Sequence, residues 1–191
     1  MIRPVLLALS LLALTACREE TAVLPQPIAM TAEAVGHYCQ MNLLEHSGPK
    51  AQVHLDGMSW PLFFSQVRDA IAYQRMPEQS HLIRVIYVSD MGAAGVSWDD
   101  PGAENWIPAA SAFYVVGAEI VGGMGAPELV PFSDPAAAEA FTVAHGGQVM
   151  ELAAIPDAEI LAPVEFDEDI GAGDGHDFED RLRALSHKPE G

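Results

Sequence analysis

The sequence predicts an α+β fold made of two small units, each of ββαβ type. Three observations support this prediction. Half of the 191 residues are apolar, which is enough for a core. Strand patterns, a helix opened by a proline and a closing strand occur in residues 35–90 and again in residues 108–163. Residues 91–107, rich in Gly, Asp and Pro, lie between the two units as a connection.

The first unit is predicted from four consecutive patterns. Residues 37–42 are consistent with a short strand, and residues 51–56 alternate apolar and polar side chains as a half-buried strand does. Ser59 is then a candidate N-cap, with Pro61 in the first turn of the helix that follows. The predicted helix has one face formed by residues at helical spacing, namely Phe63, Val67, Ala70, Ile71 and Gln74. The run of β-branched residues at 82–88 predicts the closing strand.

The second unit repeats this order. Strands are predicted at residues 111–116, 119–121 and 129–132. The helix start is marked by Ser133 and Asp134 as candidate caps and by Pro135 directly after them. Gly146 follows the helical stretch and predicts its end, and residues 148–152 predict the closing strand.

The first residues predict export and a lipid anchor. A short basic start and the apolar run at residues 5–14 are typical of a signal peptide and too short to span a bilayer. Residues 14–17, Leu-Thr-Ala-Cys, look like a bacterial lipobox, so residues 1–16 are predicted to be removed and Cys17 to carry the lipid. Arg18 stands where an inner-membrane retention signal has Asp, which favours the periplasmic side of the outer membrane.

Two further segments are predicted to lie outside the folded units. Residues 17–34 contain two prolines and no sustained periodicity, so we expect a tether. Residues 164–191 form an acidic tail, in which residues 165–180 hold eight carboxylic acids and no Lys or Arg, a composition typical of disorder. The formal net charge of the chain is −18, which argues against nucleic acid as a partner.

Cys39 is the first candidate for chemistry. The chain has 2 cysteines, so with Cys17 lipidated no disulfide is expected within the folded part. Residues two apart in a strand point to the same side, and Cys39 and Met41 are therefore predicted to project together. A thiolate beside a thioether favours Cu(I), whereas zinc more often takes Cys, His and carboxylates. Core packing is the alternative, because Cys and Met are both common in protein interiors.

Met124 and His46 add support for a metal site. Met124 stands between glycines in the stretch Val-Gly-Gly-Met-Gly, which is poorly suited to packing, so we expect its side chain to face a ligand or a partner. His46 lies beside the turn signal Ser-Gly-Pro, where an imidazole can approach Cys39. An exposed loop histidine is the alternative, which makes His46 the weaker candidate.

Two stretches resemble a known family. The segments YCQMNLLEHSGPKAQV, residues 38–53, and GGMGAPELVPF, residues 122–132, are similar to the NosL family of copper-chaperone lipoproteins in nitrous oxide reductase assembly. The similarity runs from about residue 37 to residue 152. It implies two ββαβ units, a topology shared with organomercurial lyase.

The resemblance also implies a function and a set of ligands. It implies that one Cu(I) ion is bound and passed to a periplasmic partner associated with an ABC transporter, for the maturation of nitrous oxide reductase. It implies Cys39, Met41 and Met124 as ligands, with His46 weaker. The lyase works with paired cysteines, and the folded part here has one, so we expect no enzyme. The alternative is a lipoprotein without metal that acts as an interaction or scaffold module in the cell envelope.

Overall fold

The described part of the chain covers both predicted units. The computed structural model describes residues 23–77 and 79–163. The predicted signal peptide, the lipidation site Cys17 and the acidic tail lie outside these residues. Within the described ranges, no helix is both long enough and apolar enough to cross a membrane.

The first sheet has four antiparallel strands. Its elements are β1 (Ala51–Leu55), β2 (Leu62–Phe64), helix α1 (Val67–Arg75), β3 (Ile83–Val88) and β4 (Ile107–Pro108). The strand order is β2-β1-β3-β4, so β1 is central and pairs Ala51 with both Phe64 and Val88. The end of the predicted connection therefore adds an edge strand to the first unit.

The second sheet has three antiparallel strands in the order β6-β5-β7. Its elements are β5 (Phe113–Val116), β6 (Val130–Phe132), helix α2 (Pro135–His145) and β7 (Gln148–Glu151), followed by the short helix α3 (Asp157–Leu161). In both sheets the first strand of the unit is central, and the helix joins the two strands that flank it. The predicted α+β fold of two ββαβ units is confirmed.

Helix α2 begins and ends where the local signals predict. The Asp134 carboxylate accepts the N–H of Ala136 at 3.0 Å, and Pro135 is the first helical residue. Gly146 follows the last turn with φ of +71°, a backbone conformation that favours glycine.

The prediction of a strand at residues 37–42 is wrong. Val35 and Asn42 pair with each other, so the chain reverses between them. Gly36 N–H donates to the Met41 carbonyl at 2.9 Å, and Gln40 closes this turn with φ of +56°. In a turn, unlike in a strand, a two-residue spacing does not determine on which side two side chains lie. The predicted strand therefore gives no support for pairing Cys39 with Met41.

Two further element predictions are wrong. Helix α1 begins at Val67 rather than near Ser59, because Leu62–Phe64 pairs with β1 as a strand. Residues 119–121 form no strand, and only Val121 makes a bridge, to Pro127. The two strands that precede α1 are thus β1 and β2.

Part of the predicted tether is packed against the first sheet. The buried Gln52 side chain accepts the Ile28 N–H at 2.9 Å and donates to the Ile28 carbonyl at 3.0 Å. The Tyr87 hydroxyl donates to the Pro25 carbonyl at 2.7 Å, and Met30 N–H donates to the Ala103 carbonyl at 2.9 Å. Residues 25–30 are therefore fixed to the folded domain.

One apolar cluster joins the two units. It includes Val53, Phe64, Ile71 and Val88 from the first unit and Tyr114, Leu129, Ile155 and Ile160 from the second. Burial of such side chains contributes about 1.5–3 kcal/mol each before entropy is counted. Because this core is shared, the loops at the seam between the units are held in fixed relation.

Candidate metal centre

A small cavity at the seam brings Cys39 and Met124 together. Its volume is about 190 Å³. Its walls are formed by Tyr38, Cys39, Phe64, Ser65, Asp69 and Met124. A thiol from the first unit and a thioether from the second thus face the same space.

The Cys39 thiol is held by its neighbours. Its Sγ lies 3.1 Å from the Ser65 hydroxyl, within hydrogen-bond distance. A Cβ on Gly36 would lie 2.5 Å from that sulfur and 2.7 Å from the Ser65 Oγ. Gly36 therefore leaves the space in which the two side chains meet. Cys39 is a free thiol and half-buried.

Met124 is carried by a tight turn between β5 and β6. Gly122 N–H donates to the Ala126 carbonyl at 2.8 Å, and Gly125 N–H donates to the Gly122 carbonyl at 2.9 Å. Gly125 has φ of +77°, which accounts for the glycine at that position. Met124 is 36% exposed, so the residue is partly open to solvent.

The other two predicted ligands, Met41 and His46, are not among the residues that line this cavity. Met41 is on the same turn as Cys39, and its side chain is 43% exposed. The His46 Nδ1 is 3.1 Å from the Gly123 carbonyl oxygen, while its Nε2 is buried without a hydrogen-bond partner. His46 lines a neighbouring cavity, together with Lys50 and Asp99.

Asp69 supplies the carboxylate in the cavity wall. Burial raises the pKa of this carboxyl, and the adjacent Arg68 guanidinium opposes the rise. Within residues 23–77 and 79–163, no three His, Cys, Asp or Glu side chains are grouped so that they could hold a metal ion. Two of the donors that line this cavity, the Cys39 thiol and the Met124 thioether, are soft, and such a pair suits Cu(I) better than zinc.

Comparison with known proteins identifies the family of the chain. The NosL family model matches residues 27–160. The chain belongs to the NosL family. A "Copper-binding lipoprotein NosL" of Achromobacter cycloclastes is 59% identical over 190 residues, covering 100% of this chain and 98% of the relative.

A further relative and a solved structure are also NosL proteins. A "Copper-binding lipoprotein NosL" of Stutzerimonas stutzeri is 33% identical over 148 residues, with 76% of this chain and 75% of the relative covered. The crystal structure of the copper chaperone NosL from Shewanella denitrificans matches with a TM-score of 0.64 at 30% identity. That match covers 70% of this chain and 97% of the other. The relatives are thus described as copper-binding lipoproteins and, in one case, as a copper chaperone.

Sequence reasoning missed several residues of this candidate site. Ser65, Gln66 and Asp69 stand next to or within the first turn of α1. Ser65 contacts Cys39 and Gln66 contacts the Met124 turn, both over a long sequence separation, and Asp69 lines the same cavity. Glu128 is one acidic residue among many in the sequence. The local indication for Glu128 is that it follows the glycine-rich turn at Met124 closely in the sequence, with Pro127 before it.

Glu128 links the second unit to the start of α1. Its side chain is 3% exposed, and its carboxylate accepts N–H groups from Val67 at 3.3 Å, Arg68 at 3.0 Å and Leu129 at 2.9 Å. A carboxylate at a helix N-terminus satisfies N–H groups that have no partner within the helix. The loop that carries Met124 is therefore tied to the helix that begins beside the cavity.

We expect Glu128 to make the stability of the fold depend on pH. Burial raises the pKa of Glu128 to about 8 from an ordinary 4.5, against the opposing effect of its N–H donors. The bound proton therefore stabilises the folded state below pH 4.5, and this contribution is lost as the pH rises towards 8. Between pH 5 and 8.5, the unfolding free energy measured with denaturant should decline less in Glu128→Gln than in the unsubstituted protein. Equal declines in the two proteins would contradict the role of Glu128 in the pH dependence.

Proposed function

We propose that this protein is a Cu(I)-binding metallochaperone of the bacterial periplasm, anchored to the membrane by a lipid on Cys17. The observation that carries the proposal is the shared cavity of the Cys39 thiol and the Met124 thioether. These two donors are soft, and together they favour Cu(I) over harder cations. The descriptions of the relatives as copper-binding lipoproteins support the same conclusion.

The proposed ligands are Cys39 and Met124, with Met41 as a third sulfur. Cys39 and Met124 already line one space, whereas Met41 is exposed on the Cys39 turn. A methionine side chain has three rotatable bonds, which allows the thioether of Met41 to approach a metal held by Cys39. A set of two or three soft ligands on an open cavity suits a carrier, since the metal has to leave for an acceptor.

The proposed destination is nitrous oxide reductase. In this proposal the protein passes Cu(I) to a periplasmic protein associated with an ABC transporter, and that assembly matures the enzyme. Anchoring to the periplasmic side of the outer membrane keeps the carrier in the envelope. The description of the Shewanella denitrificans protein as a copper chaperone supports a role in delivery rather than in catalysis.

A competition titration with Cu(I) tests the proposal. The reduced full chain with Cys17→Ala, called the parent below, keeps Cys39 as its sole thiol and is titrated against a chromophoric Cu(I) chelator. We expect one tight equivalent. Met124→Leu should weaken it by about tenfold or more, because the thioether is lost while the apolar volume is kept.

Two further variants complete the titration. Met41→Leu should weaken Cu(I) binding if the Met41 thioether is a ligand. Equal Cu(I) affinity in Met41→Leu and the parent would leave Cys39 and Met124 as the two ligands. Met58→Leu is the matched control, because Met58 is 43% exposed, like Met41, but lies on the β1–β2 loop. A parent that takes up no Cu(I) would overturn the proposal and leave the alternative of a scaffold without metal.

A further inference from the structure

The turn that carries Met124 is held by a side chain of the first unit. Met124 N–H donates to the Gln66 Oε1 at 2.7 Å. Gln66 is fully buried, at 0% exposure, and directly precedes α1. This hydrogen bond is part-buried, with its acceptor side chain inside the protein, and it fixes the backbone from which the Met124 thioether projects.

Gln66 occupies the N-cap position of α1 without capping it. Its backbone is extended, and its side chain makes no hydrogen bond to the first turn of the helix. The N–H groups of that turn bind Glu128 instead. Because Glu128 takes over the capping role, the Gln66 amide is left to face the Met124 turn.

The glycine before the turn allows this close approach. A Cβ on Gly122 would lie 2.9 Å from both Cδ and Nε2 of Gln66, and 2.7 Å from Glu128 Oε2. The Gln66 Nε2 is buried and has no hydrogen-bond partner. Rotating the amide by 180° would place Nε2 against the Met124 N–H, donor against donor, so the contact with Met124 dictates the orientation of the amide.

Ser65, the residue before Gln66, contacts Cys39, the other proposed ligand. The Ser65 hydroxyl is 3.1 Å from the Cys39 Sγ. Consecutive residues, Ser65 and Gln66, therefore contact the thiol of one ligand and the backbone of the other. The segment between β2 and α1 sets the distance between the two sulfurs.

We propose that Gln66 is a positioning residue that holds Met124 at the cavity before the metal arrives and thereby raises the affinity for Cu(I). The inference rests on the proposed function, since it concerns the same site. Its physical basis is preorganisation: a ligand already in place loses less conformational freedom when the metal binds.

The first test needs no copper. In the metal-free parent, the Met124 amide should exchange slowly with solvent by NMR although it lies in an exposed turn, and Gln66→Leu should speed that exchange by about tenfold. Gln52→Leu is the matched control, because Gln52 is also a buried glutamine, but its side chain is bonded to Ile28 and His54 and not to the Met124 turn. It should leave the exchange of Met124 unchanged. Fast exchange in the parent itself overturns the proposal, even if Gln66→Leu does not fold.

The second test separates positioning from general stability. Gln66→Leu, which removes the amide without adding a sulfur donor, should lower Cu(I) affinity by about 10-fold in the parent and by much less in a Met124→Leu background, because its effect acts through Met124. An equal loss in both backgrounds overturns the proposal. If Cys39→Ser binds Cu(I) as the parent does while the Met124 amide stays protected, then the proposed copper site fails and the Gln66 contact stands.

Discussion

Cys39→Ser is expected to lower the affinity for Cu(I) by more than about 100-fold. Removing groups that only orient metal ligands already costs roughly 10–100-fold, and this change removes the thiolate itself. Serine keeps the size of the side chain and the chance of a hydrogen bond to Ser65, but its oxygen is a hard donor with little preference for Cu(I). The loss should therefore be chemical rather than structural.

The measurement is the same chelator competition, made side by side on the parent and Cys39→Ser. Both proteins should unfold at the same denaturant concentration, because the half-buried thiol lies in a turn outside the main apolar cluster. Affinity should also fall in the parent as the pH is lowered, since Cu(I) competes with the proton for the thiol. Equal Cu(I) affinity in the two proteins would remove Cys39 from the site.

Gly123→Ala is expected to disturb both the fold and the site. A Cβ at this position would lie 2.7 Å from the Ser47 carbonyl oxygen and 2.8 Å from the His46 Cβ. Neither neighbour is the far end of a flexible side chain, so the backbone of one loop has to move. Overpacking of this kind typically costs about 1–3 kcal/mol of unfolding free energy. Because Met124 is the next residue, the shift should also weaken Cu(I) binding.

Gly95→Ala is the control for Gly123→Ala. Gly95 lies in the connection with φ of +82° and has open space around it, so alanine there costs stability through backbone strain alone. We expect Gly95→Ala to lower the unfolding free energy while leaving the Cu(I) affinity of the parent intact. If Gly123→Ala kept full affinity, the packing of the Met124 turn against the first unit would have no role in copper binding.

Local signals predicted the second unit better than the first. The order Ser133, Asp134, Pro135 acts within the chain itself, so the start of α2 was predictable from neighbouring residues. In the first unit, Phe63 and Val67 stand at helical spacing, yet Phe63 belongs to a strand. Pairing of β2 with β1 decides this, and a contact between distant residues leaves no periodic trace in the sequence.

The site was predictable in its chemistry but not in its geometry. Soft donors at Cys39 and Met124 were visible as residue types, and the resemblance to NosL brought them into one site. Spacing alone linked Cys39 with Met41, because it assumed a strand where the chain forms a turn. The Gln66 contact depends on a buried amide meeting a distant backbone N–H, which no local pattern announces.

The docking of residues 25–30 on the first sheet limits how far the protein can move from the membrane. With Cys17 lipidated, as proposed, residues 17–24 are all the chain that is left between the lipid and the first docked residue. Eight residues span at most about 29 Å when fully extended. The bound copper then stays in a thin layer next to the bilayer, and the protein reaches an acceptor by two-dimensional diffusion along the membrane. The greatest height that the copper site can reach above the membrane is this length plus the size of the domain. An acceptor with a copper entrance above that height could be reached only if residues 25–30 were released from the first sheet.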